Sequence, residues 1–210
     1  MKRSRKYLRL LWIVLPAAIG IAAVVAAGTF WQLRVLLNPK NWFVDEHRYD
    51  AEISVAAKRH GLDPELVRAL IYQESRFKAN RRGSHGEIGL MQVLPGGAVA
   101  DWARTKKRRR PFNWELCDVE LNLEIGCWYL ARAMKRWRSY RHGTELALAE
   151  YNAGASRAQE WSPKNKDGEV LPRVKIASTK KYIREIMERH RSYSSAVAGA
   201  KKRKSTGRKK

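Results

Sequence analysis

An uncharged apolar run of twenty-two residues, from Leu10 to Trp31, is the longest hydrophobic segment of the chain. A helix of about 20 apolar residues is long enough to cross the hydrocarbon core of a bilayer. Basic residues between Lys2 and Arg9 precede the run, and such a segment stays in the cytoplasm while the following chain is exported. The pattern predicts a single transmembrane helix over residues 10–31. A cleavable signal segment is the alternative, because small residues occupy positions 25–27.

After residue 44 the apolar positions recur at three- and four-residue spacing, which is typical of amphipathic helices around a common core. The spacing predicts six helices: Asp50 to His60, Asp63 to Ser75, Asp118 to Trp137, Thr144 to Gly154, Ser156 to Trp161, and Ile176 to His190. The expected N-terminal caps are Asp63, Asp118, Thr144 and a Ser156/Gln159 capping box, and the expected terminating glycines are Gly61 and Gly154. The pattern therefore predicts a mostly α domain.

Glu74 ends the apolar face of the second predicted helix. Val67, Leu70 and Ile71 precede it on that face at helical spacing. A carboxyl group on such a face loses hydration, which disfavours its ionised form and raises its pKa. We therefore expect Glu74 to stay protonated near neutral pH and to be able to act as a general acid.

Three short segments follow one another in a fixed order: Gln73 to Ser75 (QES), Gly86 to Pro95 (GEIGLMQVLP) and Leu148 to Gly154 (LAEYNAG). Together they resemble the three signature segments of lytic transglycosylases with a soluble (Slt-type) catalytic domain, which are relatives of goose-type lysozyme. The combination of three ordered segments is specific, whereas each one alone is a weak signal. The resemblance extends over about residues 50 to 190. It implies a lysozyme-like helical domain with a cleft, which we place at residues 45–191.

The resemblance also implies roles for individual side chains. Glu74 corresponds to the catalytic acid, and the expected substrate-binding residues are Ser75, Met91, Gln92, Tyr151 and Asn152. In the family the serine helps to orient the acid, and the tyrosine and asparagine face the acid and the N-acetyl group of the sugar. Ordinary core packing or helix capping is the alternative for each of these residues.

Two further residues are weaker candidates. Glu150 stands where the family has a small residue, so its orientation is open and it could supply a second acid. Tyr182 lies in a segment that resembles the family's closing motif, except that Ser178 replaces the expected glutamate. It is a possible groove residue, with a place in the core as the alternative.

The substrate that the resemblance implies is the glycan strand of peptidoglycan, cleaved between N-acetylmuramic acid and N-acetylglucosamine to give a 1,6-anhydro product. No cofactor is expected, and the scattered histidines and cysteines show no metal-ligand spacing. The alternatives are a goose-type hydrolase and a non-catalytic module that binds cell wall or polyanions. With residues 10–31 as an anchor, the domain would lie on the extracytoplasmic side of a bacterial inner membrane.

The formal charge of +23 is unevenly distributed. Residues 1–44 carry +7 and residues 191–210 carry +8, which leaves +8 for the rest of the chain. The charge therefore does not predict a specific nucleic-acid-binding domain. We expect residues 1–9 to be a basic cytoplasmic end, residues 32–44 a juxtamembrane linker, and residues 192–210 a disordered tail whose partner is an anionic polymer of the cell envelope. The basic run at 104–110 is expected to be a surface insertion on the groove's rim.

Cys117 and Cys127 are the only cysteines. Exported proteins commonly pair such residues in disulfides. If both lie on one helix, however, they are about 15 Å apart and cannot form a bond. A disulfide would require Cys117 to fold back from a preceding loop, and we favour two free thiols.

Overall fold

The computed structural model describes the backbone of residues 44–207 and the side chains of residues 44–200. The expected transmembrane helix at 10–31, the segment 1–9 and residues 32–43 of the expected linker lie outside the described residues. Between residues 44 and 207, none of the helices combines the length and the apolar character that spanning a bilayer requires.

Seven α-helices build the described domain. They are α1 (Asp50–His60), α2 (Pro64–Ser75), α3 (Ala100–Thr105), α4 (Val119–Trp137), α5 (Gly143–Ala153), α6 (Ala155–Trp161) and α7 (Ala177–Gly207). Short helical turns of other pitch lie at Pro95–Val99, Glu115–Cys117 and Leu171–Arg173. The only strand-like pairing in this part of the chain is a pair of isolated bridges, in which Ile88 joins Arg82 and Val93. The predicted α class is therefore confirmed for residues 44–207.

The first two helices begin and end where the sequence predicts. Gly61 ends α1 in the left-handed conformation, with φ at 66°. Asp63 caps α2, because its side chain accepts a hydrogen bond from the backbone N–H of Glu65 at 3.0 Å. Asp118 likewise accepts from the N–H of Leu121 at 2.9 Å and starts α4.

The core lies around α4 and α5, which pack against each other. Helix α1 covers α4 on one side, and α7 packs on both α2 and α5. Fully buried side chains from five helices meet there: Ile53, Leu70, Leu123, Leu130, Leu148 and Ile183. This packing brings the C-terminal end of α2 towards the first turns of α7.

Two predicted caps are wrong. Helix α5 starts at Gly143, before Thr144, and no side chain caps it. At Gly143 the chain turns so tightly that an added Cβ would lie 2.4 Å from the carbonyl oxygen of Trp137. Ser156 does not open a capping box, because α6 follows α5 directly through Gly154 and already includes Ala155.

The structure corrects the expected start of disorder after residue 191. Helix α7 continues from Ala177 to Gly207 without interruption. The segment 192–204 contains no proline, and its alanine, lysine and arginine residues favour the helix. The high positive charge of residues 192–210 therefore did not predict where α7 ends.

Candidate active site

Glu74 occupies the last turn of α2, where it is half-buried. The helix ends immediately afterwards, because Arg76 and Phe77 both adopt left-handed backbone angles with φ at 50° and 59°. The hydroxyl group of Tyr182, on α7, donates a hydrogen bond to Oε1 of Glu74 at 2.5 Å. Tyr182 itself is buried. Tyr182 therefore lies in the core, the alternative given for it, and its hydroxyl group contacts the carboxyl group of Glu74.

Burial raises the pKa of Glu74 to about 7. The hydrogen bond from Tyr182 opposes this shift, because it stabilises the carboxylate, and the nearby charge of Arg81 also lowers the pKa. The negative charge of Glu87 acts in the other direction and raises it. At neutral pH a substantial fraction of Glu74 thus carries the proton that a general acid must deliver.

Gln92 is held in an exceptional backbone conformation, with φ at 46°. Its side-chain Nε2 donates to the carbonyl of Gly89 at 2.9 Å and to the carbonyl of Arg81 at 3.1 Å. The amide nitrogen is thereby occupied within the protein, and the amide oxygen makes no hydrogen bond to any described residue. Only the amide oxygen is therefore available to a ligand.

Tyr151 and Asn152 come from the end of α5. The hydroxyl group of Tyr151 donates to the backbone carbonyl of Met91 at 2.8 Å, and its ring meets the ring of Tyr129 edge to face at 5.5 Å. Burial and the charge of Glu74 raise the pKa of Tyr151 well above its usual value, so its hydroxyl stays a donor.

The side chain of Asn152 is exposed and oriented by α7. Its Oδ1 accepts a hydrogen bond of 2.7 Å from the hydroxyl of Thr179, which is buried. Since the oxygen is occupied, the amide nitrogen of Asn152 is the group that remains to donate to a ligand.

These residues surround a pocket of about 280 Å³. Its lining consists of Glu87, Gln92, Val93, Leu94, Gly97, Ala98, Tyr129 and residues 151–154. Glu74 is not part of this lining, but it lies close enough that its charge raises the pKa of Tyr151 and that the charge of Glu87 raises its own pKa. The pocket has apolar walls with a few polar groups, which is the usual composition of a binding site for a small organic group.

Two expected substrate contacts do not reach the pocket. Ser75 has 0% of its surface exposed, and its hydroxyl donates to the carbonyl of Ile71 at 3.2 Å. The side chain of Met91 is also fully buried, packed against Gly126 and within 3.8 Å of the sulfur of Cys127. Only the backbone carbonyl of Met91 takes part, as the acceptor from Tyr151.

Glu150 points into the core and not into the pocket. It is 1% exposed, and Oε2 accepts a hydrogen bond of 2.8 Å from the indole N–H of Trp137. The guanidinium group of Arg136 lies 3.5 Å from the same oxygen. These contacts compensate its burial, so the position of Glu150 indicates a structural carboxylate.

Sequence reasoning missed several residues that shape the site. Glu87 was given no role, although it is a second carboxyl group on the pocket wall. Its signal was its place inside the second motif, three residues before Leu90.

Asn122 was also missed, although a lone amide among the apolar residues of α4 needs buried partners. It accepts from the N–H of Met91 at 2.8 Å and donates to the carbonyls of Ile88 and Leu116 at 2.9 and 2.7 Å.

Cys117 and Cys127 are both free thiols in the structure. Burial raises the pKa of Cys127 to about 12, so this thiol is unreactive. Within the described residues, no three histidine, cysteine, aspartate or glutamate side chains are grouped closely enough to hold a metal ion.

Residues 52–171 match the family model described as the transglycosylase SLT domain. Over 140 residues the chain is 27% identical to membrane-bound lytic murein transglycosylase E of Buchnera aphidicola, a match that covers 63% of each chain. It is 29% identical over 133 residues to membrane-bound lytic murein transglycosylase C of Pectobacterium atrosepticum, covering 60% of this chain and 36% of the relative. The chain thus spans less than two thirds of the length of these relatives.

Solved structures share the fold. An inactive mutant of lytic transglycosylase Slt from Pseudomonas aeruginosa superposes with a TM-score of 0.64 at 24% identity, over 72% of this chain and 25% of that one. The 70 kDa soluble lytic transglycosylase of Escherichia coli gives a TM-score of 0.63 at 21% identity with the same coverage. The predicted fold resemblance is confirmed.

Proposed function

The chain belongs to the transglycosylase SLT domain family, and from this premise we propose that it is a lytic transglycosylase acting on peptidoglycan. The proposed reaction breaks the β-1,4 bond between N-acetylmuramic acid and N-acetylglucosamine. The observation that carries the proposal is the carboxyl group of Glu74, which is held partly desolvated, with a pKa of about 7, beside a pocket lined by amides.

Glu74 acts first as a general acid. Its protonated carboxyl group gives the proton to the glycosidic oxygen as the bond to the muramic acid anomeric carbon breaks. The hydrogen bond from Tyr182 leaves one carboxyl oxygen, Oε2, free to carry this proton towards the substrate. Because the carboxyl group is neutral before the transfer, no charge has to lose its hydration when the substrate displaces water from the cleft.

Glu74 then acts as a base. As a carboxylate it takes the proton of the sugar's own 6-hydroxyl group, whose oxygen bonds to the anomeric carbon and closes a 1,6-anhydro ring. The acetamido oxygen of the same sugar assists at the anomeric carbon between these steps. Water is not consumed, and Glu74 regains its proton. The hydrogen bond from Tyr182 supports the second half, since it stabilises the carboxylate that the first half creates.

The pocket supports binding of an N-acetyl group. Its free polar groups are the amide oxygen of Gln92 and the amide nitrogen of Asn152, an acceptor and a donor that match the N–H and C=O of an acetamide. Apolar walls from Val93 and Leu94 suit the acetyl methyl group. Because backbone carbonyls and Thr179 fix both amides, they are oriented before a ligand arrives.

The replacement Glu74→Gln tests the proposed reaction. Glutamine keeps the shape and can accept the Tyr182 hydroxyl, but it has no proton to transfer. We expect the variant to fold and to bind peptidoglycan while turnover falls by at least about 100-fold, the lower end for loss of a general acid. Purified sacculi are digested and the released muropeptides weighed by mass spectrometry, with Glu120→Gln on the exposed face of α4 as the matched control. Activity of Glu74→Gln near that of the wild type would exclude the assignment.

The same spectra decide between the lytic reaction and hydrolysis. Hydrolysis is the second candidate function, because Glu87 could act as a second carboxyl group in the site. Glycosidases that use water need a second carboxyl group, and Glu87 lies on the pocket wall. A hydrolase would release products heavier by one water than the anhydro form, and Glu87→Gln would abolish them. Anhydro products that persist in Glu87→Gln support the lytic reaction.

Membrane attachment through residues 10–31 also forms part of the proposed function. The apolar run is long enough to span a bilayer, and the relatives named above are membrane-bound enzymes. We expect the full chain to stay in bacterial membranes during alkaline carbonate extraction and a chain starting at residue 45 to be released. Release of a shorter product, with the mass of a chain cleaved after residues 25–27, would indicate a signal segment instead.

A further inference from the structure

Residues 106–114 form a surface loop that carries both exposed cations and exposed aromatic rings, here named the basic-aromatic loop. Its first five residues, Lys106 to Arg110, are all basic and exposed. Phe112 and Trp114 follow with 61% and 71% of their surfaces exposed, the highest fractions among the large apolar side chains of the described domain. The proposed catalytic site uses none of these residues.

Glu115 holds the shape of the loop from within. Its carboxylate accepts two hydrogen bonds from the guanidinium group of Arg109, at 2.8 and 2.6 Å, and one from the N–H of Phe112 at 2.7 Å. The guanidinium group also lies over the Phe112 ring, 5.0 Å from its centroid, and the preceding residue, Pro111, is buried. The hydrogen bonds to Arg109 lower the pKa of Glu115 to about 2, so the contact persists at physiological pH. The outward position of the Phe112 ring is therefore held by local contacts.

Most of the positive charge in the loop is uncompensated. Arg109 pairs with Glu115, and the neighbouring Arg104 pairs with Asp101. Lys106, Lys107, Arg108 and Arg110 form no ion pair with a described residue. Four free cations thus lie within a few residues of two apolar rings.

We propose that the basic-aromatic loop binds the surface of an anionic lipid bilayer. Cations near such a surface are attracted to the headgroups, while phenylalanine and tryptophan rings enter the boundary between headgroups and acyl chains. A soluble polyanion matches the charge of the loop but offers no apolar phase to the rings. A bilayer satisfies both. The bilayer contact is independent of the proposed catalysis.

The full chain in lipid vesicles provides the test. An environment-sensitive dye is attached after Asn113→Cys in a Cys117→Ser background, where Cys127 does not react because it is buried. The matched position is Asp167→Cys, in an exposed loop elsewhere in the domain. Vesicles of phosphatidylcholine with one-third phosphatidylglycerol are compared with pure phosphatidylcholine. We expect blue-shifted, brighter emission at position 113 on the anionic vesicles, weakened by salt, and no change at position 167.

Two sets of substitutions separate charge from apolar insertion. Each basic residue near an anionic surface strengthens binding by about five-fold. Changing Lys106, Lys107, Arg108 and Arg110 to glutamine is therefore expected to weaken the contact by more than about 100-fold and to abolish the dye shift. Four glutamines at Lys58, Arg157, Lys164 and Arg184, which are exposed elsewhere, are the charge-matched control and should leave the shift intact. The pair Phe112→Ser and Trp114→Ser should reduce the blue shift, and the part that remains should still be weakened by salt.

Three results would overturn the proposal. The first is an equal response at positions 113 and 167, and the second is an equal response on anionic and neutral vesicles. The third is a shift that soluble polyphosphate reproduces in full without vesicles, which would assign the loop to a polyanion. Glu74→Gln carrying the same dye distinguishes the two proposals of function, because it removes the catalytic acid and leaves the loop unchanged.

Discussion

At Glu74, two opposing effects set the proton affinity of a single carboxyl group. Burial raises its pKa, and the short hydrogen bond from Tyr182 lowers it. Burial alone would leave the group a weak acid that releases its proton reluctantly, whereas the hydrogen bond alone would leave it ionised and without a proton to give. The value of about 7 lies between these limits. A group that must both give and take a proton works best when its pKa is near the working pH.

Replacing Tyr182 by phenylalanine tests this balance. The acid must be protonated, so activity of the wild type is expected to fall as the pH rises above about 7. In Tyr182→Phe the carboxylate loses its donor and its pKa rises further. The fall in kcat/KM should therefore move to higher pH, while the maximum decreases because the carboxylate intermediate is less stable. The measurement is kcat/KM against pH.

Tyr140→Phe is the matched control for that experiment. Tyr140 is half-buried and packs edge to face against Trp137, without a contact to Glu74. Its profile should coincide with that of the wild type. If Tyr182→Phe left the fall in activity at the same pH, or moved it to lower pH, the hydrogen bond would not be what controls Glu74.

The sequence did not predict the directions of the side chains in its motifs. Gln92, Tyr151 and Asn152 line one pocket, and the charge of Glu74 acts on Tyr151. Ser75 and Met91 belong to the same motifs but point into the core. A motif states which residues are close in the chain, whereas a side chain's direction depends on backbone angles such as the positive φ of Gln92, which periodicity does not predict.

At the scale of elements, α4 positions the loop that carries Gln92. Asn122 binds the backbone of this loop through two hydrogen bonds, at Ile88 and Met91, and a third joins it to Leu116. Gly126 lies one turn further along the helix. The absent side chain at Gly126 leaves room for Met91, whose sulfur would be 2.4 Å from an added Cβ. The burial of Met91 is thus what allows the neighbouring Gln92 to reach the pocket wall. The helix acts as a template for the loop.

Gly126→Ala is expected to disturb the site without contacting it. Alanine favours a helix by about 1 kcal/mol over glycine, but here the added methyl group overlaps Met91. Overpacking of a core costs about 1 to 3 kcal/mol, so the net change is a loss of stability of up to about 2 kcal/mol. The loop must also shift, which should lower kcat/KM. Urea unfolding and turnover of sacculi measure both effects.

Gly199→Ala in α7 is the matched control, because nothing lies within 4 Å of its added methyl group. It should leave activity unchanged and not reduce stability. Equal effects of the two substitutions would mean that the Met91 side chain moves aside at little cost in free energy and that α4 does not determine the conformation of the loop.

Helix boundaries were predictable where a single side chain decides them. The Asp63 and Asp118 caps are local, since each carboxylate binds an N–H two or three residues later. The starts of α5 and α6 depend instead on tight turns at Gly143 and Gly154, which allow the helices to begin earlier than the hydroxyl residues suggest. A potential cap is used only when the chain enters the helix at that residue.

At the scale of the whole molecule, α7 closes the domain although it lies beyond the family match, which ends at residue 171. Thr179 and Tyr182, on its first turns, orient Asn152 and Glu74. Further along, Arg189 lies 3.5 Å from Glu46, and Tyr193 donates a hydrogen bond to the same carboxylate. The same helix thus contacts two residues of the site and also binds Glu46, near the start of the described domain. The sequence predicted the helix but not these contacts, because partners 27 to 147 residues apart leave no local pattern.

Two shortened chains separate the two roles of α7. A chain ending at Ile176 loses Ile183 and Ile186 from the core, both fully buried, and should not fold.

A chain ending at Ser192 keeps Thr179 and Tyr182 but loses the bond from Tyr193 to Glu46. A hydrogen bond to a charged group contributes about 1.5 to 3 kcal/mol, less here because Glu46 is only half-buried. We expect Tm to fall by about 3 °C, the change for about 1 kcal/mol in a domain of this size.

The pH dependence of kcat/KM in the chain ending at Ser192 should remain that of the wild type, since Glu74 keeps its partner. Tyr193→Phe in the full-length chain should reproduce most of the change in Tm. A shifted pH profile in the chain ending at Ser192 would show instead that the far end of α7 controls the active-site proton.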